Sequence, residues 1–116
     1  MNRDLWIENV IDILRDISDR NIQMKAWFKG EGDCPIPDEM YCMLFDDYSI
    51  ELFIEDKFIA LNNEQKSSAK KLVVIMNTYS EGCGDSMTPS DTINDDSWDD
   101  IRVQAKDFLV KLTKSK

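Results

Sequence analysis

Two adjacent carboxylates, Asp46 and Asp47, are the residues of this chain best suited to catalysis. Paired carboxylates carry out acid and base chemistry in glycosidases. The sequence contains no histidine, so the commonest general base and the commonest metal ligand are both missing. A chain of 116 residues also leaves little room for a sugar cleft beside its core. We therefore expect a protein that is not an enzyme.

Three cysteines, Cys34, Cys42 and Cys83, are the remaining residues with metal-binding chemistry. They form no Cys-x-x-Cys pair, which is the spacing that zinc sites use. The oxygen-rich run 91–100 lacks the order of acids, glycine and final glutamate found in a calcium loop. We expect no metal and no cofactor, with Cys42 as a small core residue and the other two cysteines in loops.

The charge balance indicates what kind of partner the chain binds. Acidic residues number 23 and basic residues 14, for a net charge of −9. Such a field repels nucleic acid and anionic membranes, whereas it steers a cationic partner toward the surface. The simpler explanation, that acidity keeps the protein soluble, accounts for most acidic proteins. We expect a basic protein partner, no nucleic acid and no membrane.

The acids concentrate in two segments, 38–56 and 81–100, each with seven acidic residues and no basic one. Both segments include loop residues, which favours an electrostatic docking surface. Tyr48, flanked by carboxylates, is suited to filling a pocket while the acids meet a cationic rim. The predicted partner-binding residues are Asp46, Asp47, Tyr48, Glu51, Asp56, Asp95, Asp96, Asp99 and Asp100.

A third acidic group lies in the first predicted helix. Asp4, Glu8, Asp12 and Asp16 recur every four residues and therefore share one face. A solvated helix face is a sufficient explanation for this stripe, so we expect its acids to stay out of the docking surface.

Three helices are predicted by apolar residues recurring at steps of three and four. They run over 4–19, over 61–79 with an end near Gly82, and from Asp95 or Asp96 to about 113. Asn62 and Gln65 have the spacing of a capping box at the start of the second of these helices. The last helix should bury a stripe that consists of Trp98, Ile101, Ala105, Phe108, Leu109 and Leu112.

The segments between these helices leave the fold class open. Residues 21–28 and 40–45 suit either a short helix or a strand, because short apolar runs do not reveal their period. The alternation of Ile50, Leu52 and Ile54 predicts a strand within 49–59. Residues 30–37 and 83–94 are expected to be loops, and the second of these to be mobile. We predict a mainly α bundle of three to five helices, with an α+β fold carrying a strand or hairpin between residues 40 and 60 as the alternative.

Length and composition predict one domain over 1–116, present as a monomer or weak dimer. The first residues form no apolar signal segment, and the longest uncharged apolar run is Met40 to Phe45. Both observations favour a cytoplasmic protein.

The chain resembles a family of small acidic bacterial proteins that lack an assigned activity. The likeness consists of a tryptophan in an amphipathic first helix, an apolar run ending in Phe45-Asp46-Asp47, a helix over 61–79, and a last helix entered through Asp96-Ser97-Trp98. In size, charge and expected compartment the chain is also similar to the immunity proteins of contact-dependent growth inhibition and other polymorphic toxin systems. That resemblance implies stoichiometric binding of a cognate basic toxin domain, often a nuclease, by covering its active site or another surface it needs. An adaptor or regulatory module for another basic cytosolic protein is the alternative.

Overall fold

The protein is mainly α-helical. A computed structural model describes residues 2–83 and 88–114, and within them there are seven α-helices, one π-helical turn and no strand. The elements are α1 (Arg3–Ser18), α2 (Arg20–Phe28), α3 (Pro37–Cys42), the π-helical turn (Met43–Asp47), α4 (Ile50–Glu55), α5 (Asn63–Cys83), α6 (Pro89–Thr92) and α7 (Asp96–Lys114). There are more helices than the predicted three to five. Four of them have nine residues or fewer, which is too short for sequence periodicity to identify them reliably.

The core forms around α7, which packs against α1 on one side and α5 on the other. All six residues of its predicted apolar stripe are buried, and the Trp98 side chain is fully inaccessible to solvent. From α1 the core receives Val10, Ile13, Leu14 and Ile17, also at helical spacing. The three long helices therefore lie where apolar periodicity predicted them.

Helix boundaries follow the capping residues. Asn62 Oδ1 accepts a hydrogen bond from the Gln65 amide at 2.8 Å, and Gln65 Oε1 accepts one from the Asn62 amide at 2.8 Å. This reciprocal pair is the predicted capping box at the start of α5. Pro37 occupies the first turn of α3, where its missing N–H costs nothing.

The predicted strand within 49–59 is wrong, since residues 50–55 form α4. Ile50, Phe53 and Ile54 are buried at three- and four-residue spacing, whereas Leu52 is 68% exposed. The positions of Ile50 and Ile54 fit a helix as well as a strand, so alternation alone misassigned the segment. Residues 21–28 and 40–45, which were open between helix and strand, are also helical.

Two further expectations about the connecting segments need correction. The loop predicted over 83–94 contains α6, while residues 84–87, part of the segment expected to be mobile, lie outside the described residues. Cys42 is exposed rather than buried, because α3 turns Pro37 and Met40 toward the core and leaves Cys42 on its outer side. Cys34 lies half-buried in a loop as expected, but the backbone of Cys83 belongs to the end of α5.

Candidate partner-binding surface

The π-helical turn places Asp46 and Asp47 at an outer corner of the molecule. The amide of Tyr48 donates to the carbonyl of Met43 at 2.8 Å, five residues earlier, and this wider turn ends α3. Ser49 then adopts a left-handed conformation, with φ of 47°, from which α4 starts in a new direction. Single π-turns are frequent at functional sites, where they redirect side chains.

Glu51, in the first turn of α4, completes this corner. We call Asp46, Asp47 and Glu51 the acidic corner. All three residues are exposed. None of their carboxylates forms a hydrogen bond or ion pair with another described residue. These three carboxylates, exposed within a stretch of six residues, therefore have no compensating cation among the described residues, and a basic partner would stabilise them.

Two half-buried tyrosines lie against the acidic corner. Tyr41 stacks on Phe45 with ring centroids 4.4 Å apart, and its hydroxyl donates to Asn77 Oδ1 on α5. Burial, followed by the charges of Asp46, Glu51 and Glu81, raises the pKa of Tyr41. The charges of carboxylates on the π-helical turn, α4 and α5 thus all act on the Tyr41 phenol.

Tyr48 extends the acidic surface toward α1. Burial and then the charges of Asp47, Asp12 and Asp16 raise the pKa of Tyr48. Asp12 and Asp16, on the acidic stripe of α1, therefore add to the negative electrostatic potential at Tyr48 together with Asp47 of the acidic corner. Asp12 and Asp16 come near Tyr48 because α1 packs against the π-helical turn; whether they contact a partner stays a prediction.

Asp56, another predicted contact residue, is hydrogen-bonded within the chain. Its carboxylate accepts two hydrogen bonds from the Arg3 guanidinium, at 3.1 and 3.3 Å, and two more from the amides of Phe58 and Ile59. The hydrogen bond from Arg3 is the main cause that holds the pKa of Asp56 below its usual value. Its charge is thus compensated within the chain.

The second acidic segment divides between structural and exposed residues. Asp95 Oδ1 accepts the Ser97 amide at the start of α7, and Oδ2 accepts the Tyr79 hydroxyl at 3.0 Å. Asp99 pairs with the buried Arg102 at 3.3 Å. Asp96 and Asp100 are exposed, and Asp100 borders a cleft of about 410 Å³ between α5 and α7.

Helix α5 separates this second group from the acidic corner. Its residues Val73, Val74 and Asn77 face α4, whereas Ile75 and Tyr79 line the cleft beside α7. With 3.6 residues per turn, these two sets occupy different sides of the helix. Among residues 38–56, 81–83 and 88–100, the fold therefore does not join the two acidic segments into one surface. Of the second segment's described acids, Glu81 is the one whose charge acts on Tyr41, beside the corner.

No family model, curated protein or solved structure matches this chain. Among residues 2–83 and 88–114, no group of three or more Cys, Asp or Glu side chains is arranged to hold a metal ion. In the same part of the chain, no helix is both long and apolar enough to cross a membrane.

Proposed function

We propose that this chain is a non-enzymatic binding protein that neutralises a basic protein partner through the acidic corner, in the manner of an immunity protein that inhibits a toxin domain. The observation that carries the proposal is the set of three exposed carboxylates, Asp46, Asp47 and Glu51, that lack any cation within the described chain. The partner's Lys and Arg residues supply the missing charges.

The arrangement suits protein recognition more than bulk solubility. Acids that serve only solubility are usually interspersed with bases, whereas segment 38–56 contains no basic residue. Tyr41 and Tyr48 add rigid aromatic surface beside the acids, the combination found at interface centres. The resemblance to small acidic immunity proteins and the expected cytoplasmic location agree with this proposal.

The test compares two variants with equal charge change. The corner variant is Asp46→Asn/Asp47→Asn/Glu51→Gln. The control is Glu31→Gln/Asp33→Asn/Glu64→Gln, three exposed acids outside the corner. Asp12 is unsuitable for the control because its charge acts on Tyr48.

Wild type and both variants are used to capture partners from the native cell, and the captured protein is purified and assayed for its own activity. We expect a basic protein at one-to-one stoichiometry, inhibited by wild type and by the control but much less by the corner variant. Association should slow for the corner variant, and its salt dependence should flatten, because nearby charges steer encounter.

If both variants lose inhibition and slow association equally, net charge alone explains the effect, and the acidic corner is not the binding site. A basic partner that binds but keeps its full activity would instead favour an adaptor or regulatory role.

A further inference from the structure

A groove between α4 and α5 continues from the acidic corner and combines apolar and acidic surface. It has a volume of about 450 Å³, with Ile54 and Val73 among its lining residues. Val74 on its wall is 61% exposed and so offers apolar surface to a partner. The corner residue Glu51 also lines the groove.

The two ends of the groove differ in charge. At one end Lys70 pairs with Glu55 at 3.5 Å, so that the acid there is compensated. At the other end Asn77 holds the Tyr41 hydroxyl. Lys70 and Asn77 are seven residues apart on α5, which corresponds to about 10 Å along the helix.

The Asn77 end is strongly acidic. Asp46, Glu51 and Glu81 come from three different elements. After burial, their charges are the next causes that raise the pKa of Tyr41. No ion pair joins any of them to a described Lys or Arg residue. The groove thus places apolar side chains beside carboxylates that form no ion pair with a described residue.

We propose that this groove receives a basic amphipathic helix of the partner protein, with an apolar side chain seated over Val73 and Val74 and a Lys or Arg at the Glu51 end. This inference rests on the proposed function and names the part of the partner that is bound. Charge complementarity selects the occupant, because a second copy of this chain would bring a net charge of −9 to an acidic groove.

The test needs no knowledge of the partner. The probe is a short amphipathic helical peptide of leucine and lysine, and its control is the same peptide with every leucine replaced by alanine. Both are titrated into isotopically labelled protein, with amide chemical shifts as the readout. We expect saturable shifts that concentrate at residues 51–55 and 70–77 with the leucine peptide and are much weaker with the alanine peptide.

A matched pair of variants tests the apolar seat. Val74→Gln places a polar group in the groove, and Val103→Gln makes the same change on α7, where valine is similarly exposed at 65%. We expect Val74→Gln to weaken binding of the leucine peptide by about fivefold to tenfold, because less apolar surface is then buried. Val103→Gln should leave the affinity unchanged. Equal shifts with both peptides, shifts spread over all acidic surfaces, or equal effects of the two variants would overturn the inference.

The result that would contradict the groove differs from the result that would contradict the proposed function. If the captured basic partner depends on the acidic corner but binds Val74→Gln as well as wild type, the function stands and the groove is wrong. If the peptide occupies the groove but no basic protein is captured and inhibited, the proposed function is wrong.

Discussion

The Nε atom of Arg102 donates to Oε1 of Gln23 at 2.9 Å, and both side chains are almost completely removed from solvent. The same Gln23 oxygen accepts the indole N–H of Trp98, while its Nε2 donates to the carbonyls of Asp16 and Ile17 at 2.8 Å. One glutamine thereby links α1, α2 and α7. Burial is the first cause that lowers the pKa of Arg102, and the hydrogen bond and charge of Asp99 oppose it.

Replacing this glutamine should destabilise the fold. Gln23→Leu keeps the volume but leaves the Trp98 N–H and part of the Arg102 guanidinium without an acceptor. Each buried group without a partner costs about 1–3 kcal/mol, and more when it is charged, so we expect the free energy of unfolding in urea to fall by at least about that amount. Asn21→Leu, which replaces an exposed amide on the same helix, is the control and should change it by less than about 0.5 kcal/mol. Equal unfolding midpoints for the two variants would show that the linkage contributes nothing.

Cys42 reports the field of the acidic corner without any partner. Desolvation and then the charges of Asp38, Asp46, Asp47 and Glu39 raise the pKa of its thiol. Because only the thiolate reacts, alkylation by neutral iodoacetamide at a pH of about 8 should be slower than for a free cysteine. Asp46→Asn/Asp47→Asn should speed the reaction and move its pH–rate midpoint downward.

The measurement uses a Cys34→Ser/Cys83→Ser background so that Cys42 is the only thiol. Glu31→Gln/Asp33→Asn, with the same charge change, should leave its rate almost unaltered. Identical rates in the two acid variants would contradict the placement of Asp46 and Asp47 beside Cys42. For comparison, burial together with Asp16 and Asp19 raises the pKa of Cys34 to about 12, and this thiol should stay unreactive in the folded protein.

The pair between Arg3 and Asp56 should make stability depend on pH. The pKa of Asp56 lies below its usual value of 3.8 in the folded protein. The stabilisation that ionised Asp56 contributes to the folded protein is therefore complete above pH 3.8. It disappears as the pH falls through the lower pKa of the folded state. We expect Asp56→Asn to be less stable than wild type near neutral pH and to approach wild type in strong acid, below the folded-state pKa, in urea titrations. Asp47→Asn, which removes an unpaired acid, is the control. It should not be less stable than wild type near neutral pH, so its stability has no deficit to recover in acid.

Ala60 has a left-handed backbone, with φ of 53°, and should be improved by glycine. Side chains with a Cβ atom cost about 1–2 kcal/mol in this region, whereas glycine enters it freely. Part of that gain is offset by the greater freedom of glycine in the unfolded chain. We therefore expect Ala60→Gly to raise the free energy of unfolding by about 0.5–1 kcal/mol. Ala26→Gly, inside α2, should lower it by about 1 kcal/mol, and a decrease at both positions would contradict the expected relief at Ala60.

The sequence by itself determined the three long helices and their starting points. The hydrogen bonds between Asn62 and Gln65 join residues three apart, so the residue types and their spacing were sufficient to predict this helix start. The buried stripe of α7 was predictable for a similar reason, because over about five turns only a helix places its apolar residues on one side.

Tertiary structure alone decided the short segments and the neighbours of each acid. Residues 50–55 are too few to distinguish a strand period of 2 from a helix period of about 3.6, so their packing against α5 settled the conformation. Asp56 and Asp47 are both acids in one base-free segment, yet Arg3, 53 residues away from Asp56, compensates only Asp56. Gln23 and Arg102 likewise meet across 79 residues. Local residue patterns encode contacts within a turn or two, whereas contacts across such distances exist only after the chain has folded.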